Sequence, residues 1–232
     1  MGPTRSGLAR HAARYGVRSS EPEQSSNREW RRVLGVDPAS SGPTGYGIIE
    51  SDGKGCRVLR YGAVQVAAKR RQNSAGVVLR EVHELLCALI EEFKPQAMAV
   101  ESVFTALNMR TALKLAEVRG VVLLAAEQHG VEVRSYSPRE VKSRVAGSGH
   151  ADKRQMQLMV RAQLGMKELP EPSDAADALA VALCDLQAEQ MEKRFGLRRE
   201  NESATVKVGS RKQANGAGHA TSPHGARIQQ NR

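Results

Sequence analysis

Aromatic residues are scarce in this chain: three Phe, four Tyr and one Trp amount to 3% of its 232 residues. Aliphatic side chains must therefore build the core, and an exposed ring becomes conspicuous. Long apolar runs are missing as well. No stretch approaches the roughly 18 apolar residues of a membrane span, and the N-terminus shows no apolar segment of the kind found in a secretory signal. The expectation is a cytoplasmic protein with no membrane partner. Arginine and serine in the first residues suit an organelle transit segment, but Glu21, Glu23 and Glu29 run against it. Cysteine is sparse too: Cys56, Cys87 and Cys184 lie far apart, with no C-x-x-C pair and no clustered histidines. That excludes a disulfide scaffold and a thiolate zinc site.

What is abundant is positive charge, a formal net +10, which raises nucleic acid as a partner. Its distribution tempers that inference. Residues 1–32 hold seven Arg against three Glu, and residues 196–232 hold seven Lys or Arg against two Glu, so 33–195 carries only +1. The ends lack a sustained apolar period and are rich in Ser, Gly, Gln and basic residues, which predicts a basic disordered arm over 1–32 and a basic disordered tail over 196–232. The remainder, 33–195, is long enough to bury one core.

Between the arms the patterning becomes regular. Val33 to Val36 is a short apolar run stopped by Asp37-Pro38, as expected of a buried strand ending in a turn. Gly45 to Ile49 and Arg57 to Val66 supply two further strands, joined through the Asp52-Gly53 turn signal. Val78, Val82, Leu85, Leu86, Leu89 and Ile90 fall on one face of a helix over 75–93, ended by Pro95. A strand over 97–100 follows, then a long helix over 108–129 capped by Gly130, a strand over 131–136, and helices over 138–145, 152–164 and 173–195. Three adjacent strands and then alternating helix and strand predict an α/β domain: a mixed five-stranded sheet with helices on both faces.

Ligands of such sheets bind at the carboxyl ends of the strands, and Asp37 and Glu101 stand there. A second acidic pair, Asp174 and Asp177, lies three residues apart in an alanine-rich helix start, with Ser173 the expected N-cap. Each acid also has a structural role open to it: Asp37 can start a turn, Asp174 can complement the helix dipole, and Glu101 and Asp177 can face solvent. As a set, four carboxylates from two strand ends and one helix terminus can hold Mg²⁺, which prefers oxygen ligands. Two such ions about 4 Å apart can activate water and stabilise a leaving oxygen in a displacement at phosphorus.

The residues also match a family. Leu34-Gly35-Val36-Asp37-Pro38, Thr44-Gly45-Tyr46-Gly47, Val100-Glu101-Ser102-Val103-Phe104, Ala112-Leu113-Lys114-Leu115, Arg119-Gly120, Val141-Lys142 and Asp174-Ala175-Ala176-Asp177-Ala178-Leu179-Ala180 resemble, in order and spacing, the RuvC family of Holliday junction resolvases. The resemblance covers about 33–187. It implies a ribonuclease H-like fold, a homodimer, and a structure-selective endonuclease that resolves four-way DNA junctions by paired symmetrical nicks in recombination and repair. It implies Asp37, Glu101, Asp174 and Asp177 as catalytic metal ligands for Mg²⁺, two ions per site with Mn²⁺ able to substitute, and RuvA and RuvB as branch-migration partners. Phe104 matches an aromatic that wedges into the opened junction, and Lys142 and Lys153 match lysines near the scissile backbone.

Two positions depart from the family pattern. Ala39 stands where glycine is usual, in a loop with one extra residue before Thr44-Gly45, and Leu107 replaces a polar or basic residue near Phe104. Two other classes share part of this pattern. Sugar kinases and actin-like ATPases share a strand, an aspartate and a Gly/Thr turn, but they need a second phosphate loop and an adenosine pocket, and neither is found in a core this short. A binding module with structural carboxylates and basic arms is the remaining alternative, and metal-dependent nicking without the arms would exclude it.

Overall fold

The computed structural model describes residues 30–39, 42–64, 75–102 and 108–196. The greater part of both arms, residues 65 and 66 of the third expected strand, and Phe104 and Leu107 lie outside the described residues. Strands β1 (Arg31–Asp37), β2 (Thr44–Ser51) and β3 (Cys56–Val64) form an antiparallel meander. Helix α1 (Ala75–Phe93), strand β4 (Ala97–Glu101), helix α2 (Met109–Gln128), strand β5 (Glu132–Tyr136) and helices α3 (Pro138–Ala146), α4 (Lys153–Gln163) and α5 (Ser173–Phe195) follow. The sheet order is β3-β2-β1-β4-β5, with β4 and β5 parallel to β1. This is the mixed five-stranded sheet with helices on both faces that the patterning predicts.

Local chemistry sets the element ends. Asp52 Oδ1 accepts from the backbone N–H groups of Lys54 and Gly55 in the β2–β3 turn, where Gly53 takes a left-handed φ of 84°. The Asn108 side chain caps α2 through the N–H of Thr111, and Asp152 forms a reciprocal capping box with Gln155 at α4. Strand β1 begins at Arg31, two residues before the apolar run. Arg32 reaches the buried carboxylate of Glu50 at 2.8 Å, and Arg31 pairs with Glu189 and, at 3.6 Å, with Asp185. Charged side chains thus continue the ladder because buried acids receive them, a condition that hydropathy does not report.

Side-chain alternation divides the core in two. Leu34, Val36, Ile48, Met98 and Val100 face α1 and α2, whereas Val33, Ile49 and Ala99 face α5. Between residues 175 and 188 helix α5 is buried on nearly all sides because α3 and α4 pack over it against the sheet, while its last turns are largely exposed. This explains why that stretch is mostly alanine and aliphatic and carries no amphipathic stripe.

Candidate active site

The same alternation aims two acids. Counting by two from Val33 puts Gly35 and Asp37 on the α5 face of β1, and counting by two from Ala99 puts Glu101 on the α5 face of β4. The strands are parallel neighbours with Val36 opposite Val100, so the two acids leave adjacent carboxyl ends of the sheet together. Asp37 pairs with Gly45 across the meander.

Glycines bring the second acidic pair to the first. A Cβ on Gly45 would fall 1.9 Å from the carbonyl oxygen of Asp174, one on Gly35 would fall 2.0 Å from that of Ala178, and one on Gly47 would meet the Leu179 side chain at 2.6 Å. Any side chain there would hold the first turns of α5 away from β1 and β2. Ser173 is not the cap of this helix, contrary to expectation. The carbonyl of Pro172 accepts from the N–H groups of Ala175 and Ala176, so Pro172 takes the N-cap position without a side-chain bond and Ser173 opens the helix. Asp174 lies in the first turn, where the dipole favours negative charge.

The electrostatics show how closely the acids are coupled. Burial, followed by the charges of Glu101, Asp177 and Asp174, pushes the Asp37 carboxyl up to about 8, while Lys153 works in the other direction. Glu101 lies above its ordinary value through burial and the charge of Asp177, with Lys142 opposing. Asp177 is raised chiefly by burial, and Lys153 and Lys142 pull it back. Lys153 Nζ stands 3.4 Å from Asp177 Oδ2. Glu101, Lys142, Lys153 and Asp177 line a cleft of about 290 Å³ together with Pro138, Val141, Met156 and Ala180. A more open recess of about 390 Å³ beside Arg139 and Ser143 contains none of the four acids, so the chemistry belongs to the smaller cleft.

The structure thus brings Asp37, Glu101, Asp174 and Asp177 into one electrostatically coupled set, with Lys142 and Lys153 at its edge. Among the described residues, no three acidic, His or Cys side chains converge as a ready-made ligand shell. The donor chemistry nonetheless suits a hard divalent cation, being all oxygen, partly buried and mutually repulsive. Sequence reasoning did not single out Ser102 and Tyr136, whose contacts tie the end of β4 to β5, and it used Gly35 and Gly45 only as parts of motifs. Glycine inside a strand pattern was the available signal for the close approach of α5.

Comparison with known proteins gives a consistent result. The family model described as crossover junction endodeoxyribonuclease RuvC matches residues 33–185. The RuvC of Syntrophomonas wolfei is 40% identical over 181 residues, covering 78% of this chain and 99% of the relative. That of Heliobacterium modesticaldum is 44% identical over 152 residues, 66% of this chain and 91% of the relative. Among solved structures, Thermus thermophilus RuvC in complex with a Holliday junction substrate superposes with a TM-score of 0.65 at 36% identity, covering 69% of this chain and 96% of that one. The yeast mitochondrial Holliday junction resolvase, 14% identical with a TM-score of 0.52 over 84% of this chain and 91% of that one, shares the fold.

Proposed function

The chain belongs to the RuvC family of crossover junction endodeoxyribonucleases, and from that premise we propose that it resolves four-way DNA junctions by metal-dependent hydrolysis, placing paired symmetrical nicks during recombination and repair. One observation carries the assignment to this chain's own residues. Burial, and then neighbouring acid charge, holds protons on Asp37, Glu101 and Asp177 more tightly than usual, with Asp174 among the charges acting on Asp37 and Asp177 and two lysines opposing. Clustered negative charge of this kind is costly unless cations meet it.

Asp37, Glu101, Asp174 and Asp177 are the groups that would hold Mg²⁺, two ions per site, with Mn²⁺ as a substitute. Magnesium bound there supplies a polarised water nucleophile and neutralises charge on the leaving 3′ oxygen. Lys142 and Lys153, at the mouth of the cleft, meet the non-bridging phosphate oxygens and hold the strand across the acids. Phe104 stacks on a base at the opened exchange point. The basic residues of 1–32 and 196–232 add affinity for phosphates without reading sequence.

Two symmetrical nicks need two sites, and a homodimer supplies them. An exposed apolar face on α2 supports this: Met109, Leu113 and Leu124 are 74%, 59% and 51% exposed and share one side of the helix with Gly120. RuvA and RuvB would deliver the junction. No helix among the described residues is long and apolar enough to cross a membrane, and Cys56, Cys87 and Cys184 form no disulfide. Both suit a cytoplasmic site of action.

The test is full-length protein incubated with a mobile four-way junction in Mg²⁺, beside the Glu101→Gln variant. Paired nicks in opposing strands are expected, with linear duplex of the same sequence uncut. The variant should bind the junction and leave it intact, because an amide keeps the shape of the acid and loses its charge. A folded parent that cuts nothing in Mg²⁺ or Mn²⁺ refutes the activity. A variant cutting at the parent rate refutes the role of Glu101.

A further inference from the structure

Tyr136 bonds to two of the elements that carry the site and adjoins a third. It is the last residue of β5 and the register partner of Glu101 on β4. Its carbonyl oxygen accepts two hydrogen bonds from the residue that follows Glu101, one from the Ser102 N–H at 2.8 Å and one from the Ser102 hydroxyl at 3.0 Å. Its own hydroxyl is buried and donates to Oδ1 of Asp185 at 2.7 Å. Asp185 is fully buried on α5, the helix that begins with Asp174 and Asp177. The next residue, Ser137, caps α3 by accepting from the Glu140 N–H at 3.2 Å, and α3 carries Lys142.

The backbone bond between Ser102 and Tyr136 continues the parallel ladder one step beyond Glu101. The hydroxyl bond does not belong to the ladder. It is a second attachment on the same acceptor, at the point where β4 ends and the chain leaves for 103–107. A strand end with a single terminal bond can fray and swing its last side chain. Two donors converging on one buried-side carbonyl restrict that swing, and the carbonyl's own residue is anchored to α5 through the opposite end of its side chain.

We propose that Ser102 and Tyr136 are positioning residues for the nuclease reaction: the Ser102 hydroxyl fixes Glu101 to β5, and the Tyr136 hydroxyl fixes β5 to the helix bearing Asp174 and Asp177. Neither touches the reacting atoms. The inference rests on Glu101 being a ligand, as argued above. What Ser102 and Tyr136 provide is a common frame, so that acids from β4 and α5 keep the separation that cation binding requires. Partners behind metal ligands typically alter affinity or activity by about 10- to 100-fold when removed.

The test uses full-length protein with Ser102→Ala, Ser102→Thr, Tyr136→Phe and the Ser102→Ala/Tyr136→Phe double variant, and reads the junction nicking rate as a function of Mg²⁺ concentration. Ser102→Ala should raise the Mg²⁺ needed for half-maximal rate by roughly tenfold, with junction affinity in Ca²⁺ unchanged. Ser102→Thr keeps the hydroxyl and should recover the parent Mg²⁺ dependence. Tyr136→Phe should shift the dependence in the same direction, and the double variant should be less impaired than the product of the two single effects, since both act through one frame. A parent-like Mg²⁺ dependence in Ser102→Ala, failure of Ser102→Thr to recover it, or independent multiplicative effects in the double variant overturns the proposal. Glu101→Gln run in parallel separates the two ideas. If it cuts normally, the ligand assignment has failed; if it is inactive while Ser102→Ala matches the parent, only the positioning role has failed.

Discussion

Lys153 Nζ lies 3.4 Å from Asp177 Oδ2, joining the first residue of α4 to the first turns of α5 across the mouth of the cleft. The lysine is mostly exposed and the acid only one-third exposed, so the ammonium remains hydrated while it lowers the carboxyl's proton affinity. It acts on Asp37 in the same sense.

Removing that charge should therefore move the pH profile. In Lys153→Met both acids lose a favourable neighbour and hold their protons to higher pH, so the acid limb of the nicking rate should shift upward. Lys153→Arg keeps the charge and should leave the limb in place. Rates measured from pH 5.5 to 9 check this, and a limb unmoved in Lys153→Met would detach the lysine from the acids.

Asp37 should make folding stability fall as pH rises in the absence of divalent cations. Its folded value is about 8 against an ordinary 3.8, so between those values the folded chain keeps a proton that the unfolded chain has released. Unfolding free energy then declines with pH across that window, and the penalty is complete above it. Asp37→Asn carries no charge at any pH. It should raise Tm at pH 8.5, by an amount on the order of a few kcal/mol in stability, and change it little at pH 4.5. Thermal melts in EDTA at the two pH values are the measurement. A larger gain at the lower pH would reverse the sign of the argument.

Gly45→Ala tests the approach of α5. With a Cβ 1.9 Å from the Asp174 carbonyl, the helix start must withdraw from β2. A misplacement of about 1 Å can cost about 100-fold in rate, and a loss of that size is expected with junction binding retained. Cleavage at the parent rate by the folded variant would show that the acids tolerate a wider gap.

The α2 face should govern assembly. Leu113→Glu places like charges opposite each other in a two-fold interface, so sedimentation should find the parent dimeric and the variant monomeric. Paired nicking should fall with dimerisation. A dimeric Leu113→Glu protein would move the interface elsewhere.

Much of this protein is legible one residue at a time. Asp37 and Glu101 stand out because a charge ending an apolar strand is expensive, and the helices expected from 108 and 152 do begin there, capped by the side chains of Asn108 and Asp152. Helix α1 runs over the span its apolar period predicts, 75–93, because one face is buried and the other wet. These are local properties, set by periodicity and hydrogen-bonding groups within a few residues of each other. The order of the motifs along 33–187 was equally visible, and it carried the family.

What only the tertiary structure decided is which groups meet. Strands buried on both faces read as uniform apolar runs, so nothing in Val33 to Val36 says that Asp37 turns toward α5 rather than α1. Arg31 and Arg32 join β1 because Glu50, Asp185 and Glu189 arrive from residues 18 to 158 positions away. The bond from Ser102 to Tyr136 spans 34 residues and the one from Tyr136 to Asp185 spans 49. Such contacts depend on packing between distant segments, and a free energy shared by two surfaces is written in neither surface alone.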